Sequence, residues 1–234
     1  MDKREFIYGV TGGAFGTFIS HPLDTARILL QAGKKVNYKN LYRGIYPPLF
    51  GIGFEKAIVF GTFYNLENTT MNTFNKGLIA GFLSTIVVSP VEKLKILLQT
   101  QKAKKIKDLK NNVSLRNLYG GWTGTLFREV PGYGLYFTCY ENIKDQNDNI
   151  FKIFLKGSAS GAFSWTFIYP ADYVKTLVQN DGISYKNAIS NIYNKGGILQ
   201  FYKGFSYALM RCIPLHGGVF TAYEMMKRFD KYMR

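Results

Sequence analysis

Cysteine, histidine and tryptophan are scarce, two of each in 234 residues, and each scarcity removes a class of protein. Cys139 and Cys212 stand far apart without ligand-type neighbours. That excludes a disulfide framework and a zinc spacing, so two free thiols are expected. His21 and His216 form no metal-binding pair, and no Ser/His/Asp set or pair of carboxylates stands out as a catalytic group. No metal, cofactor or enzymatic chemistry is expected. Acids are few, 15 against 30 Lys and Arg, for a net charge of +15. The partner is therefore anionic: nucleic acid, lipid head groups or an acidic solute. Aromatics interleaved with the basic runs, as nucleic-acid stacking needs, are missing, so nucleic acid is not expected.

Long uncharged runs are missing too. The best, FIYGVTGGAFGTFIS from Phe6 and GLIAGFLSTIVVSPV from Gly77, reach about 15 residues, short of the 18 to 20 of a simple spanning helix. On hydropathy alone a soluble helical protein stays open. The opening MDKREF carries acids and resembles neither a secretory signal nor a transit peptide, so any targeting is expected to be internal.

What the chain does have is repetition. PLDTARILLQ at 22–31 recurs as PVEKLKILLQ at 90–99 and PADYVKTLVQ at 170–179. Each copy reads Pro, any residue, acid, two residues, base, and ends on Gln. Upstream, glycines lie 13 and 9 residues before each proline: Gly9 and Gly13, Gly77 and Gly81, Gly157 and Gly161. A spacing of four puts each pair on one helix face, where small residues let helices pack closely in lipid. Downstream come YRG at 42–44, YGG at 119–121 and YKG at 202–204. The second and third copies then stay in step through Arg128 and Arg211, Pro131 and Pro214, and YENIK and YEMMK; the first is looser. A period of about 75 residues divides the chain into units 1–73, 74–148 and 149–234, each a helix pair. A soluble helical solenoid would not need a proline beside an ion pair inside a helix. Loops after the motifs are basic (Lys34, Lys35, Lys39 and Arg43; Lys102 to Arg116; Lys186, Lys195 and Lys203), whereas the opposite connections are short and roughly neutral. That asymmetry fits six spanning helices with basic loops inside.

The triplicated motif, the aromatic-x-Gly that follows and the aromatic-acid-x-x-base ending resemble the mitochondrial carrier family of solute transporters over essentially the whole chain. The resemblance implies an all-α membrane protein: six transmembrane helices in three tandem repeats with pseudo-threefold symmetry around a central cavity. It also implies a monomer in the mitochondrial inner membrane, with cardiolipin as lipid partner at helix N-termini. Ionisable residues inside spans need partners. The family's matrix gate would pair Asp24 with Lys95, Glu92 with Lys175 and Asp172 with Arg27, braced by Gln31, Gln99 and Gln179. A cytoplasmic gate would use Glu141 with Lys227, and Glu224 and Lys144 with first-repeat partners. There the aligned residues are Glu67 and Tyr64 or, shifted by one, Asn68 and Asn65, so that gate is expected to be weaker and the resting state open to the cytoplasm.

By the same resemblance, substrate contacts fall at Gly51 and Ile52, at Arg128 and Glu129, and at Arg211 and Cys212. Two arginines at one depth suit a carboxylate or phosphate. The Arg-Glu pair resembles carriers of amino acids and other zwitterions, so the expected function is exchange of an anionic or zwitterionic metabolite, amino-acid-like. The alternative is a nucleotide or deoxynucleotide carrier. The Lys-, Asn-, Ile- and Tyr-rich composition resembles that of compact A+T-rich genomes, such as those of parasites or large viruses, whose owners need nucleotides moved.

Overall fold

The computed structural model describes residues 3–36, 38–66, 68–100, 118–145, 148–217, 221, 225, 228 and 229. Among the described residues seven α-helices follow one another: α1 Lys3–Gln31, α2 Tyr46–Asn65, α3 Thr73–Gln99, α4 Trp122–Ile143, α5 Ile150–Asp181, α6 Tyr185–Gly196 and α7 Phe205–Cys212. A π-helical turn over Ile213–Gly217 extends α7. Among the described residues there is no strand.

Local chemistry sets the helix starts. Asn72, Asn149 and Ser184 each accept the amide three residues on, at 2.8, 2.8 and 3.2 Å, so α3, α5 and α6 begin on side-chain caps. Helices α2, α4 and α7 begin differently. Gly44, Gly121 and Gly204, the glycines of the three aromatic-x-Gly motifs, have φ of 77°, 89° and 82°. Only glycine enters this left-handed region without strain, which is the reason for the motif.

Neighbouring helices pack in chain order, α1 on α2, α2 on α3, α3 on α4 and α4 on α5; α7 and its π turn then close back on α5 and α1. The small residues allow the closest seams. A Cβ at Gly77 would meet the Tyr133 carbonyl oxygen at 2.7 Å, and one at Gly81 the Glu129 carbonyl oxygen at 2.6 Å. At these points the α3 and α4 backbones touch.

Polarity is inverted relative to a water-soluble bundle. Phe50, Phe54, Phe127, Phe163 and Phe167 are exposed, while Asp24, Arg27, Asp172 and Lys175 are buried. An exterior of large apolar side chains needs an apolar surrounding. Of the described helices, Thr73–Gln99 is the one long and apolar enough to cross a membrane by length and composition; α1 and α5 carry buried ion-pairing residues inside the helix, which lower their hydropathy.

Candidate functional site

The three proline-containing motifs converge at one end of the ring, and their charges are matched across repeats. Arg27 Nη1 lies 3.0 Å from Asp172 Oδ2, while its Nη2 lies 3.0 Å from Asp24 Oδ1. Lys95 pairs with Asp24, and Lys175 with Glu92. All three pairs join different repeats, and these side chains keep at most 16% of their surface exposed. Buried charges of this kind persist only when paired, and losing one partner strands the other.

The glutamines are used unequally. Gln31 Nε2 donates to Tyr169 Oη at 3.1 Å and to Asp172 Oδ2 at 3.5 Å, and Gln99 Nε2 donates to Thr25 Oγ1 at 2.9 Å. Both amide atoms of Gln179 are buried without a hydrogen-bond partner. The residue before each motif proline shows the same inequality. His21 Nε2 contacts the Arg43 carbonyl at 3.1 Å, and Tyr169 donates to the Lys203 carbonyl at 2.7 Å. Each thereby ties its helix to the aromatic-x-Gly turn of its own repeat. Ser89, in the same place, is too short for that reach, and its buried Oγ has no partner.

Above the ring lies a cavity of about 170 Å³. Arg128, on α4, hangs into the ring itself, with Nη1 2.5 Å from Glu92 Oε1 and 3.3 Å from Asp172 Oδ1, and with Nη2 on Glu129. Arg211 is less engaged. Its guanidinium lies 4.6 Å from the Trp165 ring centroid, and its buried Nε, without a hydrogen-bond partner, is 3.6 Å from Asp24 Oδ1. Arg27 approaches the same Trp165 ring at 4.9 Å, so one indole carries two guanidinium groups.

One expected contact lies off the cavity, and another lines it while packing helices together. Cys212 is fully buried among Trp165, Ile168, Tyr169 and Ala208, in the seam between α5 and α7 rather than on the cavity wall. With 3.6 residues per turn, the neighbour of a cavity-facing Arg211 is rotated by about 100°. Gly51 and Ile52 border the cavity but serve helix packing: Val91 fills the space beside Gly51, and Ile52 fills the space beside Gly13. The polar groups on this wall come one turn later, at Glu55 and Lys56. Tyr133 donates to Glu55 Oε1 at 2.5 Å, Lys56 Nζ reaches the same oxygen at 3.0 Å, and Lys56 also lies 3.1 Å from Tyr133 Oη. This trio and Trp165 were missed in the sequence, because the loose register of the first repeat hid Glu55 and Lys56, and nothing in the repeats marks Tyr133 or Trp165.

At the opposite end, Glu141 pairs with Lys144 of its own helix. Glu224, Lys227 and Glu67 lie outside the described residues, as do the side chain of Tyr64 and the basic stretch from Lys102 to Arg116.

An apolar exterior around a cavity floored by buried ion pairs defines a helical membrane protein with a charged central cavity. A family model described as mitochondrial carrier protein matches residues 66–146 and 146–233. The chain belongs to the mitochondrial carrier family, whose members are transporters rather than enzymes, and it is a multi-pass protein of the mitochondrial inner membrane. It is similar to the glutamate/glycine mitochondrial carrier of Schizosaccharomyces pombe, 28% identical over 100% of this chain and 96% of that one. It is also similar to the human mitochondrial basic amino acids transporter, 29% identical over 97% of this chain and 90% of that one. The mitochondrial arginine transporter of Arabidopsis thaliana is 28% identical over 96% and 90%.

Proposed function

We propose that this chain exchanges an amino-acid-like zwitterion across the membrane by alternating access. Three repeats, 1–73, 74–148 and 149–234, supply six spanning helices around the cavity. The ring of Asp24–Lys95, Glu92–Lys175 and Asp172–Arg27 acts as the matrix gate, closed here, so that the cavity faces the cytoplasm. The observation that carries the substrate class is the unequal engagement of the two arginines. Arg128 is held by three carboxylates, whereas Arg211 has an unpartnered Nε beside the cavity. Arg211 is therefore the group that takes a substrate carboxylate. Glu129, on the same cavity, is the acceptor for an ammonium group. The relatives named for glutamate/glycine, arginine and basic amino acids support the same class.

A substrate carboxylate arriving at Arg211 draws it from Asp24, and an ammonium group at Glu129 draws that acid from Arg128. The first shift takes a cation off a gate acid, which couples binding to opening; the second leaves Arg128 on Glu92 and Asp172. Cardiolipin as lipid partner and a monomeric carrier belong to the same reading. Liposomes containing the purified chain and loaded with amino acids or nucleotides test it: labelled amino acid accumulates against internal amino acid, and labelled nucleotide does not.

A further inference from the structure

Every carboxylate among the described residues of the cavity wall already carries a cation. Asp24 holds Lys95 and Arg27, Glu92 and Glu129 share Arg128, and Glu55 holds Lys56. Arg211 is the cation left over, since its one ion pair is at 3.6 Å to an acid with two other partners. An incoming solute thus meets a spare positive charge, and an ammonium group on it has to share a carboxylate that already holds a cation.

Lys56 is held by two residues: Nζ is 3.0 Å from Glu55 Oε1 and 3.1 Å from Tyr133 Oη, which places it 5.4 Å from the centroid of the Tyr133 ring. Its side chain is 14% exposed, so its charge is poorly screened by water. The hydroxyl of Tyr133 takes the same Glu55 oxygen, leaving that carboxylate one less acceptor for a ligand. A substrate ammonium or guanidinium approaching Glu55 has to displace Lys56 or sit beside it, and like charges brought together in a desolvated site are disfavoured.

We propose that Lys56, held by Glu55 and Tyr133, is a specificity-determining residue that makes this carrier favour amino acids with one ammonium group, neutral or acidic overall, and reject those with a second cation. One ammonium group is met by Glu129, the carboxylate by Arg211; a basic side chain finds its acceptor occupied. Rejection by a built-in repulsion, rather than by loss of an attractive contact, is a common route to specificity. The inference rests on the amino-acid reading given above.

The test uses the full chain reconstituted in liposomes, with glycine, glutamate and arginine supplied as labelled substrates against internal glycine. The wild type is expected to take up glycine or glutamate about tenfold faster than arginine, one charge contact being worth about that factor. Lys56→Gln is expected to raise the arginine to glycine ratio by about tenfold, whereas Lys56→Arg, which keeps the cation, leaves it unchanged. Equal uptake of arginine and glycine by the wild type overturns the proposal, as does an unchanged ratio in Lys56→Gln protein whose thermal unfolding and glycine uptake match the wild type. If Lys56→Gln does not fold, Tyr133→Phe serves instead, because it loosens Lys56 and is expected to shift the ratio the same way; an unchanged ratio there also overturns it. Absence of uptake for all three amino acids is a different failure, which removes the amino-acid reading as well.

Discussion

Arg128 Nη1 lies 2.5 Å from Glu92 Oε1 and 3.3 Å from Asp172 Oδ1, so a residue expected to touch substrate is also a strut of the ion-paired ring. Arg128→Ala is expected to do two things at once. It strands Glu129 and takes one of two cations from Glu92 and from Asp172, at a cost on the order of 3–5 kcal/mol, and it abolishes uptake. Arg128→Lys keeps one charge but loses the fork that serves Glu92, Asp172 and Glu129 together. It is expected to unfold at a temperature between the other two and to transport poorly. Thermal unfolding in detergent and uptake in liposomes separate the two effects.

The three corners of the ring should not be equally strong. Tyr169→Phe removes the donor to Lys203 and the acceptor for Gln31, and about 1–3 kcal/mol of stability is expected to go with it. Ser89→Ala deletes a buried hydroxyl with no partner and should be neutral or slightly stabilising. Comparable losses in the two variants would show that the corners are equivalent.

Lys95→Ala leaves Asp24 with Arg27 and the more distant Arg211. The gate reading expects this variant to shift the resting protein away from the cytoplasm-open state more than Lys227→Ala does. Labelling of cysteines placed on the matrix side reports that shift.

Gly81→Ala places a methyl group 2.6 Å from the Glu129 carbonyl oxygen, where neither backbone can yield without separating α3 from α4. A loss of about 1–3 kcal/mol is expected, with transport falling further because the same shift moves Glu129. Chemical denaturation and uptake measured on one preparation check both parts.

Asp148, in the connection between α4 and α5, accepts from the Asp145 amide at 2.9 Å and from Lys156. The hydrogen bond from Lys156 holds its carboxyl below the ordinary value. A lowered folded-state value means that the contribution is complete above the unfolded pKa, about 4, and is lost as pH falls through the folded value. The difference in unfolding temperature between wild type and Asp148→Asn is therefore expected at neutral pH, should begin to shrink below about pH 4 and should vanish once the pH has fallen through the folded value.

The sequence disclosed the ring because the same spacing occurs three times, and equal spacing on three helices brings equal depths together. That logic reaches Asp24, Lys95, Glu92, Lys175, Asp172 and Arg27, and it reaches the turn glycines Gly44, Gly121 and Gly204. It stops where the copies differ. Gln179 is written like Gln31 and Gln99, yet Gln31 bonds to Tyr169 and Asp172, Gln99 bonds to Thr25, and the side-chain amide of Gln179 has no partner. Alignment of the copies points to Gly51 and Ile52 in the first repeat, because Glu55 and Lys56 have no counterpart in the other copies. It points to Cys212 as the neighbour of Arg211, although a helix turns that neighbour into the seam.

Counter-exchange by the wild type and Arg211→Ala tests the central claim most directly. Liposomes loaded with glycine and carrying wild-type protein are expected to accumulate external labelled glycine, and empty liposomes are not. Arg211→Ala, inserted and folded to the same extent, is expected to lose the exchange by at least about a hundredfold, as removal of a charge-assisted carboxylate contact implies. Wild-type exchange of labelled adenine nucleotide instead of amino acid, or undiminished glycine exchange by Arg211→Ala, would contradict the account.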